Sequence, residues 1–137
     1  MGRAGYSDDV DQWDLIRWRG AVASGIRGAR GQQALRDMLE ALDAMPEKKL
    51  VSNELACEDG VCALGALAQK RGLDVSNLDP ENTERTARVF SLSHAMVCEI
   101  VYINDDCGWY KETPEQRFER VRKWVESQIQ KGPDHEV

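Results

Sequence analysis

Val89-Phe90-Ser91-Leu92-Ser93-His94-Ala95-Met96-Val97-Cys98-Glu99-Ile100-Val101-Tyr102-Ile103 is the most apolar stretch of this 137-residue chain. Its apolar side chains recur at three- and four-residue steps, the period of a helix. They cover more than one face, which marks a helix packed on several sides. Ser91 interrupts the run. The reading is therefore two helices with a break at Ser91, where that serine caps the second. The second piece is expected to be the central helix of the fold.

Upstream, Asp79-Pro80 has the form of a helix start, with Asp79 as cap and Pro80 in the first turn. Residues 73–82 form a polar connection. Val61 to Arg71 reads as a helix ended by Gly72. Gly65 inside it costs roughly 1 kcal/mol against alanine, so it signals a close approach of another helix or backbone. Glu54 to Cys62 reads as a small hairpin around the turn pair Asp59-Gly60, and Lys49-Leu50-Val51 as a short extended piece. A helix over 32–45 carries the stripe Leu35, Met38, Leu39, Leu42 and Met45, and Pro46 stops it. The run Gly25 to Gly31 is read as a break. Before it, a helix over about 7–25 starts at Ser7 and carries two sets of apolar residues, Val10, Trp13, Ile16 and Leu15, Trp18, Val22.

Downstream, Asn104-Asp105-Asp106-Cys107-Gly108 ends the central helix, and Trp109 to Glu112 is a loop. Thr113-Pro114-Glu115-Gln116 is a capping box. The last helix runs about 114–130, with Phe118, Val121, Val125 and Ile129 inside. The fold class is all-α in the main: a compact bundle of five or six helices with one small β-hairpin near 54–62. It forms a single domain over 1–137, with 1–6 and 131–137 as flexible ends.

Hydrophobic residues make up 42% of the chain and charged residues 31%, which excludes disorder as the default state. No apolar run approaches the roughly 18 residues of a membrane helix, and no signal peptide opens the sequence. The expectation is a soluble cytoplasmic protein with no membrane partner. The net charge of −6 excludes a general polyanion binder. The charge is unevenly spread. Five arginines and no acid lie between Arg17 and Arg36, whereas seven acids and two lysines lie between Asp37 and Asp59.

Several residue groups are candidates for a site. Cys57, Cys62, His94 and Cys98 supply the ligand types of a three-Cys, one-His zinc site. The Cys57-x4-Cys62 spacing is wide for a zinc hairpin, so the cysteines are read as reduced and mostly packed, with no metal or other cofactor. His94 and Cys98 are one helical turn apart, as a thiol and its base must be, but both fall in the most apolar segment. The Asn104–Gly108 acidic turn fails the pattern of a calcium loop. Arg27-Gly28-Ala29-Arg30-Gly31 offers glycine N–H groups and forked cations to an anion. Arg17, Arg19, Arg27 and Arg30 would carry nucleic-acid binding. Asp37, Glu40 and Asp43 form an acidic face. Asn104, Asp105, Trp109 and Tyr110 complete the candidate partner-binding set, the two aromatics as loop anchors.

Val61-Cys62-Ala63-Leu64-Gly65-Ala66, Ile100-Val101-Tyr102-Ile103-Asn104-Asp105, Glu112-Thr113-Pro114-Glu115-Gln116-Arg117 and Val121-Arg122-Lys123-Trp124-Val125 resemble a group of small phage and prophage proteins. Ile26 to Gln32 and Leu42-Asp43-Ala44-Met45-Pro46 extend the resemblance, which spans about 16–126. It implies a phage-borne accessory protein in the cytoplasm of an infected bacterium, one that modulates host machinery or blocks host defence. It implies no particular activity. Of the four cysteines only Cys62 lies in these strings, which counts further against zinc. Asn104-Asp105 and Ile26–Gln32 lie inside them and rank as the leading surfaces.

The leading expectation is a non-enzymatic protein that binds and inhibits a host or phage protein, its acids imitating nucleic acid to a basic partner. The alternatives are a nucleic-acid-binding regulator built on the arginines and a small-molecule enzyme using Asn104 and Asp105. An exposed apolar stripe would equally serve a homodimer.

Overall fold

The computed structural model describes residues 12–108 and 110–130. Six helices and one hairpin follow in order: α1 Gln12–Arg27, α2 Ala29–Ala44, β1 Ala56–Cys57, β2 Gly60–Val61, α3 Ala63–Arg71, α4 Thr83–Phe90, α5 His94–Asp105 and α6 Pro114–Gln128. The expected helical bundle with a small hairpin is what forms. Expectations for 1–6, 131–137, Ser7, Val10 and Trp109 lie outside the described residues.

α5 is the central helix. It packs against α1, α3, α4 and α6, and nine of its residues are buried, from Ala95 to Asn104. α2 is the second hub and touches α1, α3 and α6. Its buried stripe of Ala34, Leu35, Met38 and Leu42 follows from the helical spacing of those residues. One continuous core results, with Phe90, Phe118, Leu50, Leu64 and Leu67 fully enclosed.

The break expected over Gly25–Gly31 is a single residue. α1 runs on to Arg27 and α2 starts at Ala29, with extended Gly28 between them. The glycines have a packing role instead. A Cβ built on Gly31 would overlap the Gly25 carbonyl oxygen, and one on Gly25 would lie 2.5 Å from the Ser93 hydroxyl. Only hydrogen at these positions lets α1 lie close on α2 and on the start of α5.

Two cap assignments also shift. Asp79 does not cap a helix. Its carboxylate accepts from the Glu81 N–H at 2.9 Å, its carbonyl accepts from Asn82 at 3.0 Å, and the resulting turn delays the helix to Thr83. Asn82 is the cap, accepting from the Arg85 N–H at 3.1 Å. The break at Ser91 is correct, but Ser91 closes α4 in a left-handed conformation, φ +56°. Ser93 caps α5, its hydroxyl accepting from the Met96 N–H. The Thr113–Gln116 capping box and the left-handed Gly72 end both form.

In the hairpin, Ala56 faces Val61 and Cys57 faces Gly60, so the two loop residues are Glu58 and Asp59. Gly60 is already paired, at φ +138°. Lys49-Leu50-Val51 joins no strand. It belongs to a strap pinned from three directions: Leu50 N–H donates to the Pro114 carbonyl, Arg117 donates to the Leu50 carbonyl, and Val51 N–H donates to the Val61 carbonyl. A Cβ on Gly65 would strike the Leu55 carbonyl of this strap, which is the close approach that its glycine signals.

Candidate functional site

The two apolar sets on α1 have different fates. Trp18, Val22 and Ile26 are spaced to share one side of the helix, and that side packs on the core. Trp13 and Ile16 lie on the other side and remain 73% and 55% exposed. Leu15, near the start of α1, is 43% exposed. Gly20, exposed two turns after Trp13, has no heavy atom within 4 Å of where a Cβ would sit. On one edge of this face Arg17 pairs with Asp14 at 2.7 Å. The sequence carried the signal for this surface, because one helix with two apolar sets has more apolar faces than a single core contact can bury.

The other candidate residues do not converge on one place. Asn104 is 1% exposed. Its Oδ1 accepts from the Ala63 N–H at 3.1 Å, and its Nδ2 donates to the Val51 carbonyl at 2.9 Å and to Asp105 at 2.8 Å. Asp105 in turn accepts from the Asn53 N–H at 3.1 Å. This pair therefore anchors the strap and the start of α3 to α5, and Asn104 has no surface to offer a partner or a substrate. Tyr110 is 89% exposed beside Lys111.

The acidic face is internally compensated. Asp37 pairs with Arg71 at 2.9 Å, Glu40 with Lys70 at 2.9 Å and Asp43 with Arg122 at 2.6 Å. Burial pushes the Asp37 carboxyl up, but hydrogen bonds from Gln33 and Arg71 and the charges of Arg71 and Lys70 outweigh it and hold it below the usual range. The hydrogen bond from Arg122 lowers Asp43 against a smaller burial effect. Carboxylates matched in this way do not present the bare charge that imitation of nucleic acid requires.

The arginines divide. Arg19 pairs with buried Glu99 at 3.2 Å, and Arg17 with Asp14. Arg27 and Arg30 are exposed. The segment between them is not a phosphate cradle, because Gly31 is buried against α1 and Gln32 is turned inward. Gln32 Nε2 donates to the Ile26 and Gln128 carbonyls at 2.7 and 3.1 Å, and its Oε1 accepts from the Gln130 N–H at 2.7 Å. It ties the α1–α2 corner to the end of α6.

No group of three or more metal-ligating side chains occurs among the described residues, so the four-ligand set does not assemble. Cys57 is exposed on β1, whereas Cys62 and Cys98 are buried. Cys98 Sγ lies 3.3 Å from His94 Nε2 and 3.6 Å from Thr83 Oγ1, and Thr83 Oγ1 lies 2.8 Å from the same nitrogen. Burial pushes the Cys98 thiol up, the opposite of what a thiolate nucleophile needs. This trio joins α4 to α5.

The strongest charged cluster is structural as well. The Glu112 side chain is 5% exposed and accepts twice from Arg120, at 2.7 and 2.9 Å, with Arg117 at 3.5 Å. Arg120 also donates to the Ile103 and Asn104 carbonyls, two of the terminal acceptors that α5 cannot satisfy itself. The Arg120 hydrogen bond lowers the Glu112 carboxyl against the opposing effect of burial. Beside it lies an open groove of about 470 Å³, lined by Glu115, Gln116, Glu119, Arg120 and Lys123.

Comparison with protein-family models, with curated proteins and with solved structures gives no match. No helix among the described residues is long and apolar enough to cross a membrane.

Proposed function

We propose that this chain is a non-catalytic accessory protein of a phage, which modulates or inhibits a host or phage protein by binding it through the solvent face of α1. One observation supports the reading above the others. Trp13 and Ile16 stand exposed on one side of a helix whose other side is already buried in the core. Exposed aromatic and branched apolar side chains at helical spacing are the anchors of helix-mediated contacts. Arg17 and Arg19 flank them and give the face a polar rim.

The test compares wild type with Trp13→Asp and Ile16→Asp, each immobilised against lysate of the bacterial host with nuclease present and at raised salt. A protein partner retained by wild type and lost by both variants, with helicity unchanged, supports the reading. Retention by both variants refutes it. A second reading, nucleic-acid binding, is favoured by the exposure of Arg27 and Arg30. It predicts affinity that falls steeply with salt and survives Trp13→Asp.

A further inference from the structure

We propose that Thr83, His94 and Cys98 form a binding site for a zinc-class ion, a filled-shell divalent cation that takes sulfur and nitrogen ligands, and that the ion clips α4 to α5. Nothing in this site depends on docking at α1.

Three electron-pair donors from two helices converge here. Cys98 Sγ lies 3.3 Å from His94 Nε2 and 3.6 Å from Thr83 Oγ1, and the nitrogen and oxygen lie 2.8 Å apart. Zinc bonds are about 2.3 Å to sulfur, 2.0–2.1 Å to imidazole nitrogen and 2.0–2.2 Å to oxygen. At tetrahedral angles those lengths set sulfur about 3.5 Å from each of the other donors, and nitrogen about 3.4 Å from oxygen. Both sulfur edges of the trio already have nearly that length. The third edge is reached when the Thr83 hydroxyl draws back by about half an ångström, a small turn of one side chain. A point at zinc's bond lengths from all three atoms lies just outside their plane, as a tetrahedral ion does behind one face of its ligands.

The donors are held in place. His94 and Cys98 are four residues apart on α5 and share one face, and Thr83 is the first residue of α4. The His94 ring meets Trp18 edge-on, with centroids 6.0 Å apart and planes at 82°. Thr83 and Cys98 each carry a hydrogen to donate, and the tautomer with Nε2 unprotonated accepts from both. The same lone pair is the one that a metal ion takes.

Access and charge agree with this. Thr83 and Cys98 are buried and His94 is half-buried, so the ring is the solvent side of the trio. Glu84 is exposed next to Thr83, and its charge reaches the Cys98 thiol. Its carboxylate attracts a cation to this edge of the α4–α5 seam, and it or a water completes four-coordination. Coordination sends the Cys98 thiol proton to solvent and leaves thiolate, imidazole and hydroxyl on the ion. Cys57, exposed on β1, and Cys62 take no part.

The experiment titrates Co²⁺, the coloured stand-in for zinc, into protein carrying Cys57→Ser and Cys107→Ser, which removes the exposed thiols. A sulfur-to-cobalt charge-transfer band is expected, saturating at one ion per chain and displaced by Zn²⁺. Adding Cys98→Ser should abolish the band. His94→Gln should weaken affinity by about tenfold or more, since loss of a ligand's outer hydrogen bond alone costs that much. Zinc-edge X-ray absorption on the protein with Cys98 and His94 intact reads the ligands without touching the site. It should show one sulfur at about 2.3 Å and imidazole nitrogen at about 2.0–2.1 Å. No band in the folded protein, a band that survives Cys98→Ser, or a zinc shell with no sulfur or with two overturns the proposal.

Discussion

At Gly31, where α2 starts against α1, a Cβ would overlap the Gly25 carbonyl oxygen. At Gly20, less than two turns before Gly25 on α1, a Cβ would meet nothing within 4 Å. The inner corner and the outer face of α1 therefore use the same residue for opposite reasons. On the inside, glycine lets two backbones touch. On the outside, it leaves an open hollow beside exposed Trp13 and Ile16. The polar residues divide in the same manner. Gln32 is buried and bound to three backbone groups, whereas Arg27 and Arg30 just before it are exposed. A sequence string can thus be distinctive because it builds the corner rather than because it meets a ligand.

The sharpest way to break this comparison is Gly31→Ala. Helix propensity alone predicts a gain of about 1 kcal/mol. The overlap with the Gly25 carbonyl predicts a loss of about 3 kcal/mol, because two helix backbones must separate and the core beneath them must shift. Urea unfolding decides between the two signs. A stabilised variant would show that the corner has room and that the glycine has another role.

Gln32→Leu follows, with an expected loss of about 2 kcal/mol. Leucine preserves much of the volume but leaves the Ile26 and Gln128 carbonyls and the Gln130 N–H without their shared partner. Hydrogen exchange should show the end of α6 opening before the rest of the bundle. Uniform exchange across the molecule would mean that Gln32 does not hold those two ends together.

Glu112→Gln tests the opposite end of the bundle and is expected to cost about 2 kcal/mol at neutral pH, since two arginines lose their shared carboxylate. Its folded pKa lies below the ordinary value of 4.5 because of the Arg120 hydrogen bond, with the Arg120 and Arg117 charges assisting against burial. The stabilisation is therefore complete above the ordinary carboxylate range. It is lost as pH falls through the depressed folded value. The gap between wild type and variant should be constant from neutral pH to about 5 and close below about 4. A gap that persists unchanged in acid would assign the loss to packing rather than to charge.

The helices were legible because their cores repeat at helical spacing: Leu35, Met38 and Leu42 on α2, or Phe118, Val121 and Val125 on α6. Capping was legible where a single local pattern stood alone, as at Thr113–Gln116 and Gly72. It slipped where two cappers competed within a few residues, Asp79 against Asn82 and Ser91 against Ser93. There the turn made by the first residue decides which one caps, and composition alone does not contain that turn. The site was less legible. Gln32 and Asn104 were placed on candidate surfaces because they lie in the strings that resemble the phage group. Their partners lie far along the chain, at Gln128 for the first and at Val51 and Ala63 for the second. Burial of that kind is set by tertiary contacts that no local window carries. Trp13 and Ile16 show the reverse case: the helical spacing of two apolar sets on α1 was legible, but not that Trp18 and Val22 would pack on the core while Trp13, Leu15 and Ile16 stay exposed.

Gly20→Ala has the smallest expected effect and the opposite sign. With no neighbour to strike, alanine removes the entropic cost of glycine in a helix and should stabilise the single chain by about 0.5–1 kcal/mol. Urea unfolding measures it. Beside Gly31→Ala, it holds the chemical change constant and varies only the surroundings. A gain at position 20 with a loss at position 31 would mean that space, not propensity, separates the two faces of α1. A loss at both would mean that the outer face is already covered within the single chain, and docking at Trp13 and Ile16 would then have to displace whatever covers it.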